Sequence, residues 1–254
     1  MWRVLKARLH QKRRTAAYPA EPPVLPGRFR GLPELRPAAG ESLARARAVC
    51  PTGALAAEPD GAPRLDMGAC LFCGLCQETA GAQGGVTLTR EHRLCARRRE
   101  HLMLRPGSVF PRAEPLAEDL RRLLGRSLKL REVSAGGCNA CEADTNVLTT
   151  LVFDLGRFGI QFVASPRHAD GLFITGPVTR NMAQALRKTY DAVPAPKIVI
   201  ACGACAVAGG PYAGQAEILG GADAVVPVDL YIPGCPPHPY TILDGLLRLL
   251  GRIP

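Results

Sequence analysis

Residues 171–205 read GLFITGPVTRNMAQALRKTYDAVPAPKIVIACGAC, and this stretch decides the fold. Gly171–Thr175 is a short apolar run, Thr179–Ala192 has helical patterning, and Lys197–Ala201 is a second apolar run that leads into cysteines. Runs of this kind suit strands buried on both faces of a parallel sheet, with helices covering its sides. Outward from this unit, apolar runs at Gly159–Ala164 and Ala224–Val228 and helical stretches at Cys141–Gly156 and Pro237–Leu250 continue the alternation. The last helix has prolines at its start, Ile242, Leu243, Leu246, Leu247 and Leu250 at helical spacing, and Gly251 just past its end. The expected class is α/β, a doubly wound parallel sheet that places ligands at the carboxyl ends of its strands. There is no internal repeat, dinucleotide glycine motif, P-loop or nucleophile-elbow serine, so the usual nucleotide and serine-hydrolase readings have no support.

The chain has 254 residues, 47% hydrophobic, with a mean hydropathy of +0.04, which excludes a disordered chain. No apolar run reaches the roughly 18 residues a bilayer span needs. The charged opening, Met1 to Arg14, lacks a signal peptide's apolar segment, so the ten cysteines are expected in a reducing compartment without disulfides. Residues 1–127 hold 22 Lys+Arg and 12 Asp+Glu, whereas residues 128–254 hold 10 of each, so the whole net charge of +10 lies in the first half. Two modules are expected, meeting near Arg105–Pro115, with the basic one facing something acidic. Nucleic acid is not the expected partner, because aromatic residues are sparse there and no stacking pattern interleaves the arginines. Trp2, Leu5 and Leu9 stand at helical spacing among Arg3, Lys6, Lys12, Arg13 and Arg14, which fits either an interfacial helix or a terminal helix on a partner subunit. The prolines between Tyr18 and Pro37 imply an extended arm, expected to lie along another chain.

Cys70, Cys73 and Cys76 in C-L-F-C-G-L-C make two consecutive C-x2-C steps. A tight loop of that spacing wraps three thiolates around one corner of an iron–sulfur cube, while zinc sites more often use separated pairs. In bacterial-type ferredoxins each such run ends in Cys-Pro, and that cysteine ligates the other cluster. Cys50-Pro51 is the ending of a first run whose three earlier cysteines are absent, and the ending of the second run is replaced by Ala80-Gly81. The two absences agree, leaving one complete set: Cys50, Cys70, Cys73 and Cys76.

The second half holds Cys138 and Cys141 in G-G-C-N-A-C-E, Cys205 in G-A-C-A-V-A-G-G, and Cys235 in I-P-G-C-P-P-H-P. Each is expected to follow a strand, and in a doubly wound sheet those loops converge at one edge, around a second cluster or as inert core thiols. Of the other two cysteines, Cys95 reads as a free thiol in a basic helical stretch and Cys202 as packing at a strand end.

The first hundred residues resemble the ferredoxin-type polyferredoxin subunit of formate hydrogenlyase and, more distantly, its complex I counterpart. The basic start, Ala17-Tyr18-Pro19, the F-R-G-x-P of Phe29–Pro33 and the cysteine runs carry this resemblance. From about Leu128 to Ile253 the chain is similar to the small subunit of energy-converting (group 4) nickel–iron hydrogenases and to the homologous complex I 20 kDa (PSST-like) subunit. That likeness rests on F-V-A-S-P-R-H-A-D, I-T-G-P-V-T-R-N-M, P-x-P-K-x-V-I-A-C-G-A-C-A and V-P-V-D-L-Y-I-P-G-C-P-P.

The resemblance implies a flavodoxin-like sheet over residues 128–254, preceded by a basic arm (1–40), a degenerate ferredoxin module (41–104) and a linker with a short helix (105–127). It implies that Cys138, Cys141, Cys205 and Cys235 ligate a proximal 4Fe-4S cluster, giving two 4Fe-4S clusters in all, and that no residue of this chain is catalytic by itself. The C-x2-C of Cys138 and Cys141 follows the hydrogenase branch, since the complex I branch has adjacent cysteines there. A family acidic residue appears as Asp144, with Glu142 nearby, and the loop of Arg167 and His168 corresponds to one that approaches the large subunit.

The implied role is an electron-transfer subunit of a membrane-bound complex, peripheral on the cytoplasmic face of the cell membrane. Its implied partners are a hydrogenase-like large subunit, another iron–sulfur subunit and membrane-arm subunits. The alternatives are a complex I-like NADH/quinone oxidoreductase module and a structural adaptor in a nickel-free relative.

Overall fold

Pro19, Pro22, Pro23 and Pro26 remove backbone donors and fix φ where a helix or paired strand would need freedom. In the computed structural model, which describes residues 1–38 and 40–254, no regular element occurs between helix α1 (Trp2–Gln11) and strand β1 (Pro33–Leu35). Ala39, in the expected arm, lies outside the described residues. The arm makes contacts with its own chain. Tyr18 is buried and its hydroxyl donates to Asp244 at 2.7 Å, while Arg157 donates to the carbonyl oxygens of Ala16 and Tyr18, each at 2.9 Å.

The cysteine-rich first half is built from short pieces: α2 (Gly40–Ala48), β2 (Leu55–Ala57), β3 (Pro63–Asp66), α3 (Leu75–Ala80), β4 (Val86–Leu88) and β5 (Met103–Leu104). Strands β2, β3 and β5 form an antiparallel sheet, and β1 pairs antiparallel with β4. Strands this short cannot hold a sheet alone, so their inward residues Leu35, Leu55, Leu65 and Leu104 pack into one core. Between residue 105 and the strand that starts at Leu128 lies one short helix, α4 (Glu118–Leu124).

The second half contains β6 (Leu128–Ser134), α5 (Ala140–Val147), β7 (Ile160–Phe162), β8 (Gly171–Thr175), α6 (Arg180–Ala192), β9 (Ile198–Cys202), α7 (Ala204–Ala208), β10 (Leu230–Ile232) and α8 (Pro239–Leu249). The five strands form one parallel sheet in the order β10-β9-β8-β6-β7. Counted along the chain, that is the flavodoxin-like order 2-1-3-4-5, with the crossover direction reversing between β6 and β8.

One strand expectation needs correction. The Ala224–Val228 run is not a strand, because Pro227 lies inside it and a 3-10 turn occupies Ala222–Ala224; pairing starts at Leu230. The strand expected before Cys138 is β6, which sits between β7 and β8 although Lys129, Arg131 and Glu132 interrupt its apolar run. Helix α5 also ends at Val147, well short of Gly156.

The halves share a core, in which Leu65, Met67 and Leu102 join Val133, Ile174 and Val207. Ala96 forms an antiparallel bridge with Tyr231 on edge strand β10, which covers that edge with the chain's own backbone. Arg99 grips both carboxylate oxygens of Asp66 at 2.8 and 2.5 Å beside this seam. Helix α8 is buried along its whole length, and burying Ile242, Leu243, Leu246 and Leu247 stabilises the fold by about 1.5–3 kcal/mol each.

Candidate functional site

The loop after β6, at the reversal point of the sheet, carries Cys138, and Cys141 follows in the first turn of α5. Cys205 lies in α7 just after β9, and Cys235 in the loop after β10. All three strands are parallel, so their carboxyl ends deliver the four thiols to one edge. Burial pushes the Cys205 thiol up to about 12, and the thiols of Cys235, Cys141 and Cys138 act on it in the same direction. Cys235 is likewise raised, by burial first and then by Cys141 and Cys138. Mutual influence of this kind requires proximity, so the four form one group.

Two glycines keep this group open. A Cβ on Gly203, at φ 92°, would stand 2.5 Å from the Cys141 Sγ, and one on Gly210, at φ 56°, would stand 2.7 Å from the Cys205 Sγ. Only glycine combines that backbone conformation with free space at the sulfur.

In the first half, Cys50 follows α2, Cys70 and Cys73 lie in the loop between β3 and α3, and Cys76 is the second residue of α3. All four line one enclosed cavity whose other walls include Ala54, Leu55, Leu65, Val86 and Leu88. The Phe72 N–H donates to Cys70 Sγ at 3.3 Å. Burial pushes Cys70 up to about 12; that N–H opposes the rise, and Cys76, Cys50 and Cys73 add to it. Cys76 is also raised by burial, with Cys50 and Cys73 as further causes.

Buried thiols left to themselves stay protonated, and a cationic metal core reverses that preference. Each group offers four thiols, the donor number that an iron–sulfur cluster or a tetrahedral zinc site takes.

The two groups border a common space, since Leu71 and Phe72 of the first cysteine loop and Cys235 of the second group line one cavity. Between them lies a cavity of mixed lining that includes Phe29, Arg30, Phe72, Asp144, Cys235 and His238. The His238 ring stacks on Tyr240 at 5.6 Å and takes the edge of Phe29 at 5.4 Å.

Asp144 lines the gap, with its carboxyl raised by burial. Glu142 bonds Thr175 at 2.7 Å; burial works against its charge, but hydrogen bonds from Ser134 and Thr175 outweigh it and keep its pKa low. Glu132, on β6 and marked by no sequence motif, is pushed up to about 7 by burial and then by Glu142, and one of its oxygens has no partner.

Cys95 is buried but extended rather than helical, because its segment runs beside β10; its thiol meets the Thr241 carbonyl at 3.3 Å. Cys202 is fully buried at the end of β9, and burial, then Cys141, raises its thiol pKa. Arg167 and His168 stand exposed on a 3-10 turn before β8.

Residues 138–249 match the family described as NADH ubiquinone oxidoreductase, 20 Kd subunit. The match begins at Cys138 and takes in Cys141, Cys205 and Cys235. The chain is 42% identical over 148 residues to formate hydrogenlyase subunit 7 of Escherichia coli (strain K12), covering 58% of this chain and 58% of that relative's length. It is 39% identical over 142 residues to the probable membrane-bound hydrogenase subunit mbhJ of Pyrococcus furiosus, covering 56% of this chain and 85% of that relative. Among solved structures it is similar to a chain of the membrane-bound sulfane sulfur reductase, an archaeal respiratory membrane complex. The identity is 35% and the TM-score 0.47, over 53% of this chain and 75% of that one.

Proposed function

Because the chain belongs to the NADH ubiquinone oxidoreductase 20 Kd subunit family, we propose that it is an electron-transfer subunit of a membrane-bound hydrogenase-type complex. In this reading Cys50, Cys70, Cys73 and Cys76 hold one 4Fe-4S cluster, and Cys138, Cys141, Cys205 and Cys235 hold a second. Bound there, the clusters supply one-electron storage at two points between another iron–sulfur subunit and a hydrogenase-like large subunit. The chain's own residues set spacing and environment: Gly203 and Gly210 leave room at sulfur, the Phe72 N–H supports the Cys70 sulfur, and leucines exclude water from the first set.

The observation that carries the relay is the cavity lined by both Leu71–Phe72, between Cys70 and Cys73, and Cys235, which brings the two four-cysteine groups to the walls of one space. In the sequence the first half reads as a ferredoxin-like module that has lost one of two clusters, and its enclosed four-cysteine cavity supports that reading. The C-x2-C of Cys138 and Cys141, and relatives named for hydrogenase-type complexes, favour the hydrogenase branch over a quinone-linked one. The chain has no nickel site of its own in this account and acts with its large subunit, peripheral on the cytoplasmic face of the membrane.

The test is hydrogen evolution from a reduced low-potential dye by the purified complex, with nickel and iron analysis of the same sample. Hydrogen production with nickel present is expected. Intact clusters with neither nickel nor hydrogen would move the assignment to a quinone-linked or adaptor role.

A further inference from the structure

Among the described residues, α1 is the α-helix with no buried side chain, whereas α2 to α8 each bury at least one. Trp2, Leu5 and Leu9 share one side of it at helical spacing and are 71%, 48% and 76% exposed. Around that stripe stand Arg3, Lys6, Arg8, Lys12, Arg13 and Arg14, and the first twenty residues contain no Asp or Glu.

The helix is tethered at a defined place. The Ala16 N–H donates to the Val152 carbonyl at 2.8 Å, and Arg157 grips the Ala16 carbonyl at 2.9 Å. The five steps from Gln11 to Ala16 reach at most about 18 Å, so α1 stays near Leu151 and Val152. That pair is itself apolar and exposed, at 67% and 47%.

We infer that α1, with Leu151 and Val152 beside its tether, forms a lipid-contacting surface that lies on an anionic bilayer. Unopposed positive charge complements an anionic headgroup layer. An indole at the water–lipid boundary suits Trp2, and the long stems of Lys6 and Lys12 flank the stripe so that their charges stay in the headgroups. A stripe of three side chains is too small for a stable protein interface, which buries roughly 800 Å² on each partner. It is enough for reversible adsorption assisted by charge. This inference rests on the membrane association proposed above for where the chain resides, but its test needs neither clusters nor partner subunits.

Trp2 is the single tryptophan of the chain, so its fluorescence reports this helix alone. The full chain, purified anaerobically, is titrated with vesicles of phosphatidylglycerol and phosphatidylcholine and with vesicles of phosphatidylcholine only. The Trp2 emission should shift to the blue and be quenched by brominated acyl chains with the anionic vesicles, with affinity about tenfold or more above the neutral ones, and high salt should reverse it. The double variant Leu5→Glu, Leu9→Glu should abolish the shift at unchanged melting temperature, since neither side chain is buried, and Leu151→Glu should weaken it. No shift with anionic vesicles, equal binding by the double variant, or a shift seen only with isolated membrane subunits would overturn the inference. Iron content of the same sample reports separately on the proposed function.

Discussion

Cys70, Cys73 and Cys76 are spaced by one loop and the first turn of α3, with Cys50 brought in by the end of α2; Cys138, Cys141, Cys205 and Cys235 come from the segments after three strands that only the parallel sheet unites. The first group is a local construction on strands of two to four residues, whereas the second inherits its geometry from strand order. Local spacing tolerates a loosely built surrounding. A site assembled by topology depends on the whole sheet and on α8 behind it.

The sharpest test of this comparison is to remove one sulfur from each group. With both groups filled, roughly eight irons per chain are expected. Cys70→Ser and Cys205→Ser should each lower that to about four, with different electron paramagnetic resonance signals lost. If either variant empties both groups, the two are not independent sites.

A smaller effect is expected from Arg248→Met on α8. Arg248 donates to Asp244 at 2.9 Å inside the core, and the Asp244 side chain is 1% exposed. Leaving that carboxylate uncompensated should cost about 3–5 kcal/mol in denaturant unfolding. Since Asp244 also accepts from Tyr18, proteolysis within residues 12–30 should accelerate.

Next in size, Gly203→Ala places a methyl against the Cys141 sulfur at a positive φ. It should cost about 1–3 kcal/mol and disturb the second group's signal alone. An altered first-group signal would mean that the cavity shared by Phe72 and Cys235 couples them mechanically.

The smallest effect concerns the joining segment. Burial disfavours the Glu91 charge, but Arg93 and Arg112 outweigh it and hold the carboxyl at about 2, below its ordinary 4.5. Stability from this group is present above pH 4.5 and is lost as pH falls toward 2. Glu91→Gln should therefore cost about 1 kcal/mol at neutral pH, after discounting for solvent screening, and flatten the acid limb of the stability curve across that interval.

Periodicity and punctuation in the sequence made β7, β8, β9, α6 and α8 legible, because each is a short apolar run or a helical stripe with marked ends. The eight proposed cysteine ligands were legible from spacing and from the family patterns, and the α/β class followed from the alternation around residues 171–205. What the tertiary structure decided is of another kind. Strand β6 is central despite Lys129, Arg131 and Glu132, because its neighbours β7 and β8 supply the pairing that its own pattern does not advertise. Strand β10 begins after Pro227, where the Asp229 carboxylate accepts the Val199 N–H at 2.8 Å and sets the register with β9. The arm folds back because Asp244, far along the chain, accepts the Tyr18 hydroxyl. The first half meets the sheet where Ala96 bridges Tyr231, and Leu71, Phe72 and Cys235 come to line one cavity. Each of these is a contact between distant segments, and one-dimensional spacing carries no signal for which segments will meet.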